Sequence, residues 1–378
     1  GNRCVVKEDD VSVKLRGRVL VMAGGTGGHV YPALAVAEEL RDRGYQVEWV
    51  GTRRGLEHRV VPAAGFPIHY LLVRGVRGKG LADRITGLLM LALASLQALW
   101  LVLRTMPRCV VGMGGYVAGP AGVAAWLLRR PLLIHEQNAV AGTTNRMLSP
   151  MAKAVIAGFP GAFQGDVEYE VLGNPVRAEL VAAADSLEYG YDGERPLHLL
   201  VLGGSLGSRP INEAIPGVVR RMLRGRHIDP IEVWHQAGDS HAAAVAEQYD
   251  DLLSDTVKVV PFIEDMAAAY AWADVVICRA GALTVSELAV MGRPAILVPL
   301  PHAIDDHQTA NAHSLADRGG AILLRQSDMT EDSLIIALRA YMEYPGRLRT
   351  MAEAARKAAS PEAASQVADE VEALIDAA

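Results

Sequence analysis

Short strand-like runs, mostly apolar, recur at residues 19–23, 47–50, 109–112, 132–135 and 155–157, and again at 199–202, 232–235, 257–260, 275–278 and 295–298. Runs that do not alternate with polar residues suit strands covered on both faces, as in a parallel sheet. Stretches with helical spacing, such as 32–40, separate them, so the chain reads as an α/β protein. The pattern also occurs twice. Gly24-Gly25-Thr26-Gly27-Gly28-His29 follows the first run just as Gly203-Gly204-Ser205-Leu206-Gly207-Ser208 follows the run at 199–202. Two similar halves with a cleft between them are expected, divided near Gly173-Asn174-Pro175-Val176-Arg177, and ligands should sit at the strand C-termini lining that cleft.

One segment competes with this reading. Residues 85–103 carry no charge and are flanked by Arg84 and Arg104, a length close to the roughly 20 residues needed to cross a bilayer. The segment also stands where the alternation needs a crossover helix before the strand at 109, and it contains Thr86, Gly87, Ser95 and Gln97. The expectation is a buried or partly interfacial helix, preceded by a loop in which Arg74, Arg77 and Lys79 mix with glycines and Leu81.

A length of 378 residues with 51% apolar composition supports two cores. The cysteines, Cys4, Cys109 and Cys278, form no metal-binding or disulfide pattern, and residues 1–18 are too charged for a secretory signal, so a cytoplasmic protein is expected. The net charge of −6 argues against a general nucleic-acid binder. It conceals a division, because residues 1–176 hold 20 Lys and Arg against 13 Asp and Glu, while the remainder holds 17 against 30. A basic first half points to an anionic surface, for which a bacterial inner leaflet and a polyprenyl diphosphate are both candidates.

The first glycine turn, between a strand and a helix, offers backbone N–H groups and a positive helix end to a phosphate, and it ends in an imidazole able to take a proton. It does not match the dinucleotide fingerprint, since Val30 stands where Gly or Ala is required and Thr52-Arg53-Arg54 replaces an acidic residue after the second strand. In the second half, Cys278-Arg279-Ala280-Gly281 leads into Ala282-Leu283-Thr284-Val285-Ser286-Glu287, a second helix start suited to a diphosphate. Glu287 there suits either a ribose diol or a capping box with Thr284. The stretch from His302 to Thr309 tops the next strand with amide and carboxylate groups suited to sugar hydroxyls.

Taken with Met113-Gly114-Gly115-Tyr116, His135-Glu136-Gln137-Asn138 and Asp305-Asp306-His307-Gln308, these motifs resemble the bacterial MurG family, the UDP-N-acetylglucosamine transferases of peptidoglycan synthesis. The resemblance spans residue 18 to about 360. It implies a GT-B architecture of two Rossmann-like parallel-sheet domains facing a central cleft. The expected division is a flexible segment 1–17, an acceptor and membrane domain 18–176, a UDP-sugar domain 177–356, and a C-terminal helix 357–378 packing back on the first domain. It also implies inverting transfer of N-acetylglucosamine from UDP-N-acetylglucosamine to the C4 hydroxyl of the N-acetylmuramoyl unit of lipid I, giving lipid II, by a peripheral enzyme on the cytoplasmic face of the inner membrane. Alternatives are a related GT-B transferase with another nucleotide sugar or lipid acceptor, and a non-catalytic nucleotide-sugar-binding protein at the membrane.

Carried over by motif, the donor contacts are Thr26, Gly27, Gly28, Asn138, Arg177, Ser205, Ile263, Ala282, Leu283, Thr284, Val285, Ser286, Glu287 and Gln308. Within that set Ile263 meets the uracil through its backbone, Glu287 the ribose and Gln308 the sugar. His29 is the expected base, and Tyr116, His135 and Glu136 are expected on the acceptor side. No metal or other cofactor is implied. Leu206 stands where the family often carries Gln, and Thr309 where some members carry a second Gln.

Overall fold

The computed structural model describes residues 15–73, 81–204, 207–302 and 304–378. Arg77, Lys79, Ser205, Leu206 and residues 1–14 lie outside the described residues. Among the described residues, β1 (Arg18–Met22), β2 (Gln46–Gly51), β3 (Ile68–Tyr70), β4 (Cys109–Gly112), β5 (Leu132–Glu136), β6 (Ala154–Ala157) and β7 (Glu170–Val171) form one sheet. A second contains β8 (Leu197–Leu202), β9 (Ile231–Gln236), β10 (Val257–Val260), β11 (Val275–Cys278), β12 (Ala295–Leu297) and β13 (Ala321–Leu323). The strand orders are β3-β2-β1-β4-β5-β6-β7 and β10-β9-β8-β11-β12-β13, and every pairing is parallel. Both orders reverse direction beside the first strand of the half, the doubly wound arrangement that places ligands beyond the strand C-termini.

The unbroken apolar runs have a direct cause. Val19 and Val21 of β1 enter one core with the helices Gly27–Asp42 and Ala363–Asp376, while Leu20 and Met22 enter another with the helices Leu81–Thr105 and Ala118–Leu127. β8 repeats this, with Leu199 and Val201 on one side and Leu200 and Leu202 on the other. Both faces are dry, so no polar alternation is possible. The helix Ala363–Asp376 places Val367, Ala368, Val371 and Ile375 in the core of the first sheet. Arg43 fixes it there by donating to the Ser365 carbonyl and to Asp369 and Glu372.

The helix Leu81–Thr105 is the crossover from edge strand β3 to interior strand β4. Of the two expected states, buried or partly interfacial, full burial does not hold. Ala94, Ala98, Leu101 and Val102 form its packed strip, while Leu88 and Leu89 are each 67% exposed and Leu91, Leu93, Leu96, Trp100 and Leu103 are exposed beside them. It is long and apolar enough to cross a membrane, yet one face is needed to cover the sheet.

Candidate active site

Between the two sheets lies a cleft cavity of about 660 Å³ bounded by two helix N-termini. Thr26, Gly28 and His29 reach it from the first domain, and Gly281 and Ala282 from the second. Neither the helix Gly27–Asp42 nor the helix Ala282–Met291 has a side-chain cap, so no capping side chain competes with an anion for their first N–H groups. The capping-box alternative for Thr284 and Glu287 is thereby ruled out: the N-cap is Gly281.

The first glycine turn is a narrower anion cradle than its sequence suggests. Gly25 N–H donates at 3.0 Å to Glu57, which is fully buried and also accepts from Thr52 N–H and Thr52 Oγ1 at 2.8 and 2.9 Å. Gly24 and Gly51 make room for this side chain, since a Cβ on Gly24 would lie 2.6 Å from Glu57 Oε1 and one on Gly51 2.6 Å from its Cγ. Sequence reasoning missed Glu57, because nothing local shows a residue from the next helix entering the turn.

His29 is half-buried with Nδ1 3.1 Å from Gln137 Oε1. Gly114, at φ +103°, leaves space for the ring, as a Cβ there would lie 2.6 Å from Nδ1. Tyr116 also lines the cleft and is 68% exposed. Glu136 reaches the cavity wall, but its carboxylate is buried and accepts from Asn138 N–H, Gly142 N–H and Asn145 Nδ2, so it holds the loop after β5. His135 corrects the expectation of an acceptor-side residue. It is fully buried with Nε2 2.9 Å from the Gly173 carbonyl, and burial pushes its pKa down to about 4.

Asn138 lines the cleft and accepts at 3.1 Å from Asn311 Nδ2, whose Oδ1 takes Ala139 N–H at 2.7 Å. Buried Asn311 thus stitches the domains together, a role that sequence reasoning missed. Gln308 lines the same cavity and accepts from Leu300 N–H and Ala280 N–H, which leaves its Nε2 to donate. Thr309 instead donates to Asp306 at 2.7 Å.

The side chains of the run 282–287 face different directions, because a helix turns about 100° per residue. Ala282 lines the cleft, whereas Val285 and Ser286 line a second cavity, also about 660 Å³, behind the linker at Gly173 and Asn174. Leu283 and Thr284 are half-buried. Glu287, expected to be free for ribose, is buried and committed: Arg177 Nη2 donates to one oxygen at 3.1 Å and Tyr270 Oη to the other at 2.8 Å. Burial raises its pKa and Arg177 opposes that shift. Arg177 also lies over the Tyr31 ring of the first domain, with Cζ 5.0 Å from the centroid. Ile263 belongs to the second core, and Gly27 packs near Tyr31. Among the described residues no cluster of His, Cys, Asp and Glu has metal-holding geometry.

Comparison with known proteins decides the family. The glycosyltransferase family 28 N-terminal domain matches residues 19–157 and the family's C-terminal domain matches residues 198–367. The chain is 51% identical over 350 residues to a protein of Alkalilimnicola ehrlichii named UDP-N-acetylglucosamine--N-acetylmuramyl-(pentapeptide) pyrophosphoryl-undecaprenol N-acetylglucosamine transferase, covering 93% of this chain and 97% of that one. A relative of the same name from Methylococcus capsulatus is 51% identical over 354 residues, with the same coverage. The crystal structure of MurG from Acinetobacter baumannii superposes with a TM-score of 0.78 at 42% identity, covering 94% of this chain and 99% of that one. The chain belongs to the MurG family. The calicheamicin glycosyltransferase CalG4 shares only the fold, at 19% identity and a TM-score of 0.66 over 96% of this chain and 99% of that one. The GT-B architecture of the MurG family is therefore the architecture here, and its cleft is the cavity between the two sheets.

Proposed function

We propose that the protein transfers N-acetylglucosamine from UDP-N-acetylglucosamine to the C4 hydroxyl of the N-acetylmuramoyl unit of lipid I, forming lipid II with inversion. The observation that carries the reading is an imidazole, His29, in a cleft bounded by two uncapped helix N-termini. In a single in-line displacement the acceptor O4 bonds to the anomeric carbon as the bond from that carbon to the UDP oxygen breaks. His29 Nε2 takes the O4 proton, and the N-terminus of the helix Ala282–Met291 stabilises the charge gathering on the departing diphosphate. Gln308 Nε2 is the donor we assign to the sugar. Glu287 acts on the donor by holding Arg177, and Ile263 meets the uracil through its backbone. Thr26 and the first-turn N–H groups of Gly27 and Gly28 serve the donor.

The exposed leucines of the helix Leu81–Thr105, with Trp126 and Leu127 exposed on the helix it packs against, support peripheral attachment to the cytoplasmic leaflet. Anionic lipid suits the basic first half. Incubating purified protein with UDP-N-acetylglucosamine and a lipid I analogue should release UDP and yield the disaccharide lipid in equal amounts. UDP release without disaccharide, or preference for a different UDP-sugar, would overturn the assignment.

A further inference from the structure

A chain of hydrogen bonds runs from the segment joining the two domains to the imidazole in the cleft. It starts at the Gly173 carbonyl, which can only accept, so the His135 Nε2 at 2.9 Å must carry hydrogen. His135 is fully buried and its low pKa keeps it neutral, which leaves its Nδ1 bare. The group facing that nitrogen, at 3.2 Å, is Gln137 Nε2, a donor. The orientation of the Gln137 amide is thereby set, and its Oε1 points to His29 Nδ1 at 3.1 Å. An amide oxygen only accepts, so His29 Nδ1 carries hydrogen and, in the neutral ring, Nε2 holds the lone pair. Gln137 is itself anchored, since Asn174 Nδ2 donates to its carbonyl at 2.9 Å and to Ser286 Oγ of the second domain at 3.0 Å.

We propose that His135 and Gln137 are positioning residues that hold His29 in its Nδ1–H tautomer and so direct the Nε2 lone pair into the cleft. This rests on the reading of His29 as the base, and it adds which nitrogen acts and what selects it. Free histidine favours the opposite tautomer, with hydrogen on Nε2 and no lone pair there. Without the relay, most neutral His29 would present a donor to the acceptor hydroxyl.

Two measurements test it. Long-range proton–nitrogen correlation on protein labelled at its 11 histidines, with the His29 signal assigned by its loss in His29→Ala, should show His29 neutral with hydrogen on Nδ1. Observation of the Nε2–H form in the wild type would overturn the relay. In kinetics with both substrates saturating, Gln137→Leu should lower kcat by about 10- to 100-fold, the range found when the partner behind a metal-ligating histidine is lost, and should cost little more in a His29→Ala background. Gln137→Glu keeps an acceptor for His29 Nδ1–H, so it should recover turnover relative to Gln137→Leu. Its carboxylate should move the acid limb of the pH–rate profile to higher pH by favouring imidazolium. A purely structural role predicts the reverse ranking, because a buried carboxylate packs no better than leucine. Loss of activity in His29→Ala with normal kcat in Gln137→Leu would refute the relay and leave the base intact. Normal turnover in His29→Ala would refute the base, whereas the nitrogen spectrum reports on the relay in either case.

Discussion

Arg177→Ala probes the contact that joins the donor half to the first domain. The substitution leaves Glu287, 4% exposed, with Tyr270 as its remaining side-chain donor, and it removes the guanidinium stacked over Tyr31. Breaking a buried ion pair by deleting one partner costs about 3–5 kcal/mol. The Arg177 side chain is 23% exposed, so solvent screening trims the Coulomb part, while the lost cation–π contact adds about 0.5–1 kcal/mol. A loss of about 2–4 kcal/mol follows. The mutant escapes part of it by protonating Glu287, whose pKa burial raises and Arg177 holds down. The cost should therefore grow with pH, being smaller near pH 5.5 than near pH 8. Urea unfolding followed by tryptophan fluorescence at both pH values measures it. In a Glu287→Gln background the same substitution should cost at least about 1 kcal/mol less. A pH-independent loss, or one undiminished in that background, would refute the ion-pair reasoning.

Other consequences are more local. Glu57→Ala strips the acceptor from two backbone N–H groups, Gly25 and Thr52, at about 1–3 kcal/mol each; thermal unfolding should show the loss, and an unaltered melting temperature would contradict the slot described for that carboxylate. Burial holds His135 and His235 neutral, with pKa values pushed down to about 4 and about 3. The unfolded chain then binds more protons below pH 6.5, so stability is complete above that value and falls as pH drops towards 4, by on the order of 3 kcal/mol for each histidine. Denaturant titrations across this window should show the decline, and a flat profile would count against both neutral assignments. Replacing Leu88, Leu89 and Leu96 by serine should weaken sedimentation with anionic vesicles without lowering the melting temperature, because all three are exposed; vesicle binding at wild-type strength would move the attachment surface elsewhere.

The doubled parallel fold was legible because its central strands have no wet face, so β1, β4, β8 and β11 appear as unbroken apolar runs. The strands that escaped notice, β3, β7 and β13, all lie at sheet edges and are two or three residues long. Edge strands are short and partly exposed, which removes the signal. The site divides along similar lines. Glycine turns and helix starts are local, and they led to Thr26, His29 and Ala282. Glu57, Gln137 and Asn311 act through partners distant in sequence, at separations of 32, 108 and 173 residues, and no local pattern announces them. Assigning Glu287 to ribose and His135 to the acceptor treated polar residues beside a motif as exposed. Helical rotation and strand burial place both inside.

The central claim is that His29 removes the acceptor proton, and the most direct measurement is the turnover of His29→Ala with lipid I analogue and UDP-N-acetylglucosamine both saturating. Loss of a general base lowers the rate by about 10²–10⁴-fold, while calorimetry should find UDP affinity nearly unchanged. Turnover restored to near the wild-type value by raising the acceptor concentration would contradict the account, leaving His29 as a ligand for the acceptor's diphosphate.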